Sequence, residues 1–138
     1  MRTRIVSVRP DESAQVAIAR MVEENVGSVA VCDGPRLVGI FTERDVLRLA
    51  SGGASFPDLR VADAMTRAPV TVPPDVDMAA AARLMSERGI RHLPVVEGEN
   101  LLGMLGIRDV IRNLVETVWS RHDEAARDTA RALLETRR

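Results

Sequence analysis

Two short segments carry most of the residues able to do chemistry: Gly39-Ile40-Phe41-Thr42-Glu43-Arg44-Asp45 and Gly103-Met104-Leu105-Gly106-Ile107-Arg108-Asp109. Thr42 and Asp45 stand at the spacing of a capping box, in which side chain and backbone bond reciprocally at a helix start. A helix start also presents unpaired N–H groups and the positive end of the dipole, which favour an anion such as phosphate. A carboxylate there can stabilise the helix, or accept charge-assisted bonds from a ligand. In the second segment Gly106 replaces the hydroxyl residue, which removes one side-chain donor and some bulk. Just before it in the chain, Arg91-His92 stands where the first half has Gly27-Ser28. Arg91 can meet a phosphate with a planar fork of donors. The plainer alternative is a solvated arginine beside a histidine packed at a strand start.

Other chemistries lack their residues. The chain has no Gly-rich loop ending in Gly-Lys-Ser/Thr and no Gly-x-Ser-x-Gly elbow, so no catalytic residue is assigned. Cys32, His92 and His122 share no ligand spacing, so no metal centre is expected. Cys32 reads as a small core residue, and Met21 and Met85 as core filler.

The elements that must position these residues come in two copies. Shifted by 64 residues, positions 6–48 align without a gap on 70–112, with 15 identities in 43 positions. Such self-similarity marks a duplicated unit. Each copy opens on a β-branched run (5–8; 70–72) and a Pro-Asp turn. A helical pattern follows, with Ala14, Ala17, Ile18, Met21 and Val22 in the first copy and Met78, Ala81, Ala82 and Met85 in the second. Two apolar runs around a turn then predict a hairpin (29–41; 93–105), and a second helix opens near Thr42 and near Gly106. The expected fold class is α+β: two tandem β-α-β-β-α repeats packed with pseudo-two-fold symmetry, plus an extended C-terminal helix. The expected divisions are 1–50 for the first repeat, 51–60 for a linker, 61–116 for the second repeat and 117–138 for a helical extension. Neither half is long enough to bury a core comfortably alone. From Asp109 to about Leu134 there is no Pro or Gly, and an apolar stripe runs along one helix. Its distal part needs a partner, either its own domain or a neighbouring subunit.

Composition bounds the partners. The 138 residues are 46% hydrophobic and 28% charged, which suits a folded core. With 19 basic and 20 acidic side chains there is no large basic field for nucleic acid. Aromatics are only 2%, too few for base-stacking platforms. No apolar run approaches a membrane span. The basic N-terminus is not followed by the apolar stretch of a signal peptide, and the single cysteine fits a reducing compartment, so a cytoplasmic protein is expected.

With these segments in place the chain resembles a CBS-domain pair, also called a Bateman module, over about residues 4–116. The Gly39–Asp45 segment matches the family's Gly-h-h-Thr/Ser-x-x-Asp pattern (h, apolar), and the Gly103–Asp109 segment is its second copy. Val61-Ala62-Asp63-Ala64-Met65-Thr66 matches the lead-in, and Arg91-His92-Leu93-Pro94-Val95-Val96 the usual second strand. Met65 aligns with Met1, so the first repeat lacks nearly all of its lead-in. The resemblance implies a stand-alone regulatory module that binds an adenosine-containing ligand between the repeats and passes the signal to a separate partner protein. It also implies a homodimer formed through helices. In the first repeat it places Thr42, Arg44 and Asp45 at ribose and phosphate, and the backbone of Ser7, Val8, Ser28, Val29 and Ala30 at adenine. In the second it places Thr71, Val72, His92, Leu93 and Pro94 at adenine, and Arg91, Gly106, Arg108 and Asp109 at phosphate and ribose. No cofactor is required. The regulatory ligand is AMP, ADP or ATP, or S-adenosylmethionine, and Mg2+ can accompany a polyphosphate. The two sites should differ in affinity. The alternative is a CBS scaffold that binds no ligand and serves only protein association.

Overall fold

The structure is a computed structural model that describes residues 5–121, with side chains through Trp119. Strand β1 (Ser7–Val8) leads to helix α1 (Ala14–Glu24), then to the hairpin β2 (Ser28–Asp33) and β3 (Arg36–Thr42), and to helix α2 (Glu43–Ser51). A 3-10 turn (Phe56–Asp58), the short helix α3 (Val61–Ala64) and strand β4 (Thr66–Arg67) connect the halves. Helix α4 (Met78–Arg88), the hairpin β5 (His92–Glu97) and β6 (Asn100–Gly106), and helix α5 (Ile107–Arg121) follow. The extension expected beyond residue 121 lies outside the described residues.

The repeat of the sequence is a repeat of local physics. Ser13 caps α1 by accepting from the Val16 N–H at 3.2 Å. Asp77, 64 residues on, caps α4 by accepting from the Ala80 N–H at 3.2 Å. Both helices end on a left-handed residue, Asn25 and Gly89, as such C-caps require. Both hairpins carry a bulge at the same place, between Val31 and Cys32 and between Val95 and Val96.

One sheet of order β1-β2-β3-β6-β5 joins the halves, with β4 added to β3. The two hairpins meet antiparallel at Arg36 and Asn100, which are equivalent residues. Around them the Leu37 N–H donates to the Glu99 carbonyl at 2.9 Å, and the Leu101 N–H to the Pro35 carbonyl at 3.0 Å. Equivalent residues bonding reciprocally place a pseudo-two-fold axis between them, as the sequence predicted. The strand expected at 70–72 is reduced to one parallel bridge, Val72 with Val95. Pro73 and Pro74 follow at once and have no N–H to extend a ladder.

Each repeat has its own core. Val8, Ala17, Met21, Val29, Val31 and Phe41 fill the first, and their equivalents Val72, Ala81, Met85, Leu93, Val95 and Leu105 fill the second. The first core also takes Val61 and Ala64 of α3, which belong to the lead-in of the second repeat. The lead-in is tied there by backbone bonds from Ala14 to Leu59, Val61 to Glu12 and Ala62 to Pro10, all between 2.7 and 3.0 Å. It ends as β4 on β3, pairing Thr66 with Ile40 and Arg67 with Gly39. Gly39 makes this approach possible, because a Cβ there would stand 2.9 Å from the Thr66 carbonyl oxygen and collide with Met65. The sequence pattern assigns this lead-in no element, since a two-residue strand is too short for periodicity to show.

A candidate ligand cleft between the repeats

The first turn of α2 holds the first pattern aspartate. Thr42 caps the helix, and the Asp45 N–H donates to its hydroxyl oxygen at 3.3 Å. In return the Thr42 N–H and hydroxyl donate to Asp45 Oδ2 at 2.9 and 3.1 Å. Arg48 donates to Oδ1 at 3.2 Å, and so does the Thr66 hydroxyl of β4. Asp45 is only 5% exposed. Its carboxylate is therefore closed into a capping box and bonded to the lead-in strand.

The second pattern aspartate has a different setting. Asp109 accepts from the Gly106 N–H at 3.1 Å through Oδ2 and has no other hydrogen bond among the described residues. It is half-buried at the wall of a cleft of about 1010 Å³. Repeat 1 supplies one wall with Ile18, Met21 and Val22 of α1 and its C-cap Asn25, Gly27 and Ser28 at the start of β2, and Glu43, Val46 and Leu47 of α2. Repeat 2 supplies the other with Arg91 and His92 at the start of β5, Met104 and Gly106 of β6, and Ile107, Arg108, Asp109 and Arg112 of α5. Arg91, Arg108 and Arg112 have no ion-pair partner among the described residues. The cleft thus offers apolar walls, two carboxylates with acceptor capacity left, Asp109 and Glu43, and three guanidinium groups without an ion-pair partner among the described residues. That set suits a partly apolar ligand bearing hydroxyls and an anionic tail.

His92 sits where the repeats touch. A Cβ on Gly27 would stand 3.2 Å from His92 Cε1, and one on Gly106 would stand 3.9 Å from His92 Cδ2. Burial pushes the His92 pKa below its ordinary value; Arg91 adds to this, while Glu43 and Asp109 oppose it. The folded state therefore holds fewer protons on His92 than the unfolded chain does. The stability tied to a neutral His92 is full above the unfolded pKa, near 6.5, and is lost as pH falls through that value toward the folded one. His92→Gln should accordingly flatten the loss of stability between about pH 7 and pH 5 relative to the unchanged protein. Denaturant midpoints across that range check this, and equal slopes in the two proteins would refute it.

Of the residues expected from the sequence, Ser28, Arg91, His92, Gly106, Arg108 and Asp109 come together in this cleft. Thr42 and Asp45 stand apart from it, bonded to each other and to β4. Arg44 is exposed on α2, and Ser7 and Thr71 are exposed ahead of their repeats' cores. Val8, Val29, Ala30, Val72, Leu93 and Pro94 are buried. Sequence reasoning passes over Glu43, Arg112 and the cleft-facing part of α1. Arg112 carries a signal, since it lies one helical turn after Arg108 and repeats Arg48. Cys32 is buried in β2, and burial pushes its thiol pKa up. Among the described residues no group of three His, Cys, Asp or Glu could hold a metal ion, and no helix is long and apolar enough to cross a membrane.

The CBS domain model matches residues 1–52 and 61–116. The chain belongs to the CBS-domain family. It is 35% identical over 111 residues to the arabinose 5-phosphate isomerase KdsD of Yersinia pestis, covering 80% of this chain and 34% of that one. This CBS pair therefore spans about a third of the length of that relative. Among solved structures, a CBS-domain containing protein from Agrobacterium tumefaciens superposes with a TM-score of 0.74 at 32% identity, over 80% of this chain and 90% of that one. CBSX2, solved in complex with AMP, superposes with a TM-score of 0.75 at 30% identity, over 85% and 93% of the two chains. The tandem repeat with its single mixed sheet is thus the CBS-pair fold that the sequence resemblance implied.

Proposed function

We propose that the cleft between the CBS repeats binds an adenosine nucleotide and that its occupancy regulates a separate partner protein. One observation carries this reading: Asp109 faces the cleft with acceptor capacity left, beside three arginines without ion-pair partners among the described residues. A ribose offers two neighbouring hydroxyls to such a carboxylate, and phosphates suit the planar forks of Arg91, Arg108 and Arg112. Val22, Met21 and Val46 give an adenine ring apolar walls. The AMP complex of CBSX2 supports the ligand class. The proposal involves binding and a change of repeat geometry, without a catalytic step.

The finer parts belong to the same proposal. The divisions 1–50, 51–60, 61–116 and 117–138 remain its domain scheme. A homodimer through helices would cover Val22, Leu47, Ile111 and Val118, which are at least half exposed. A lone buried thiol fits the cytoplasm.

The test is a thermal-shift series with AMP, ADP, ATP, S-adenosylmethionine and NAD, each with and without Mg2+. A ligand that binds only the folded state adds about 2.7 kcal/mol at a hundredfold excess over its Kd, which moves Tm by several degrees. A saturable shift with the adenine nucleotides is the expected result. No shift at millimolar concentration with any of them would leave the scaffold reading in front.

A further inference from the structure

We propose that this chain takes one nucleotide per pair of repeats, at Asp109, and that Asp45 has become a latch fastening the second repeat's lead-in to the first. The stoichiometry rests on the nucleotide reading above; the latch does not. An ionised carboxylate has about four lone-pair sites. On Asp45 four donors fill them: the Thr42 N–H, the Thr42 hydroxyl, Arg48 and the Thr66 hydroxyl. A ribose would have to displace bonds that already cap α2 and hold β4.

The repeat shows why Asp109 escapes this fate. The Gly106 N–H matches the Thr42 N–H and makes the equivalent bond. Gly106 has no hydroxyl to match that of Thr42. Arg112 matches Arg48, yet it lines the cleft and makes no ion pair with Asp109. One of the four donors is thus lost by residue type and another by placement. The substitution of Thr by Gly, which looks like decay of the pattern, leaves the second carboxylate open.

Isothermal titration with AMP and with ATP, alongside thermal denaturation without ligand, tests both halves. The unchanged protein should bind one nucleotide per chain. Asp109→Asn should weaken binding at least tenfold, as expected for losing a charge-assisted bond, with little change of Tm. Asp45→Asn should lower Tm and leave nucleotide affinity within about twofold, consistent with a capping and latching role. Should Asp45→Asn fail to fold, Thr66→Val removes one latch donor and should give the same pattern more mildly. Two nucleotides per chain, or loss of binding in folded Asp45→Asn or Thr66→Val, would overturn the inference while leaving the nucleotide reading intact. An unchanged Tm in both variants would overturn the latch. Absence of binding to the unchanged protein would overturn the nucleotide reading and the stoichiometry together, and the Tm comparison would still decide the latch.

Discussion

Asp109→Ala is expected to abolish the stabilisation of this CBS pair by adenine nucleotides while leaving the apo protein nearly as stable. The carboxylate has one hydrogen-bond partner among the described residues, the Gly106 N–H at 3.1 Å, so truncation removes a single capping bond and costs on the order of 1 kcal/mol. Against the proposed nucleotide it would remove the two charge-assisted bonds from the ribose hydroxyls. Bonds to charged groups are worth ~1.5–3 kcal/mol each, so the two together correspond to about 100-fold or more in Kd. The uncommitted arginines would remain and hold the phosphates weakly, with a strong dependence on salt. Titration calorimetry on folded Asp109→Ala checks this. An affinity within threefold of the unchanged protein would show that the carboxylate does not touch the ligand.

Phe41→Ala is expected to bring the protein close to unfolding. Phe41 is fully buried in the first core, pairs with Val29 across the hairpin, and immediately precedes the Thr42 cap. Removing a buried Phe side chain forfeits its transfer energy and leaves a cavity, typically ~3–5 kcal/mol. Domains have only ~5–15 kcal/mol in total, so this single truncation takes a large share of the stability. The lead-in should loosen with it, since Val61 and Ala64 share this core. Urea midpoints at unchanged m-value measure the effect, and a loss under about 1 kcal/mol, well below the usual cost of such a cavity, would mean that Phe41 is not packed as described.

The repeat made much of this fold legible. A Pro-Asp turn stands before each helical pattern, the hairpin turns carry Gly34 and Gly98, and the two Thr/Gly-x-x-Asp segments recur 64 residues apart. Each of these is a local signal, because caps, turns and periodic faces depend on residues three or four apart. The family and the two-fold arrangement followed from their recurrence. The aspartates themselves were visible too, and so was the loss of a hydroxyl at Gly106.

What the sequence by itself determined was therefore the main helices and hairpins of each repeat and the residues able to do chemistry. Only the tertiary structure decided their partners. Asp45 and Asp109 sit in segments of nearly the same pattern, yet one carboxylate is filled by Thr66, 21 residues away in sequence, and the other opens on a cleft shared with α1 and α2. Arg48 and Arg112 are identical residues at identical repeat positions, one bonded to its aspartate and the other lining the cleft. The physical reason is that a carboxylate's availability depends on which donors reach it through space, and that is set by the crossing of the lead-in onto the first repeat, which no local pattern records.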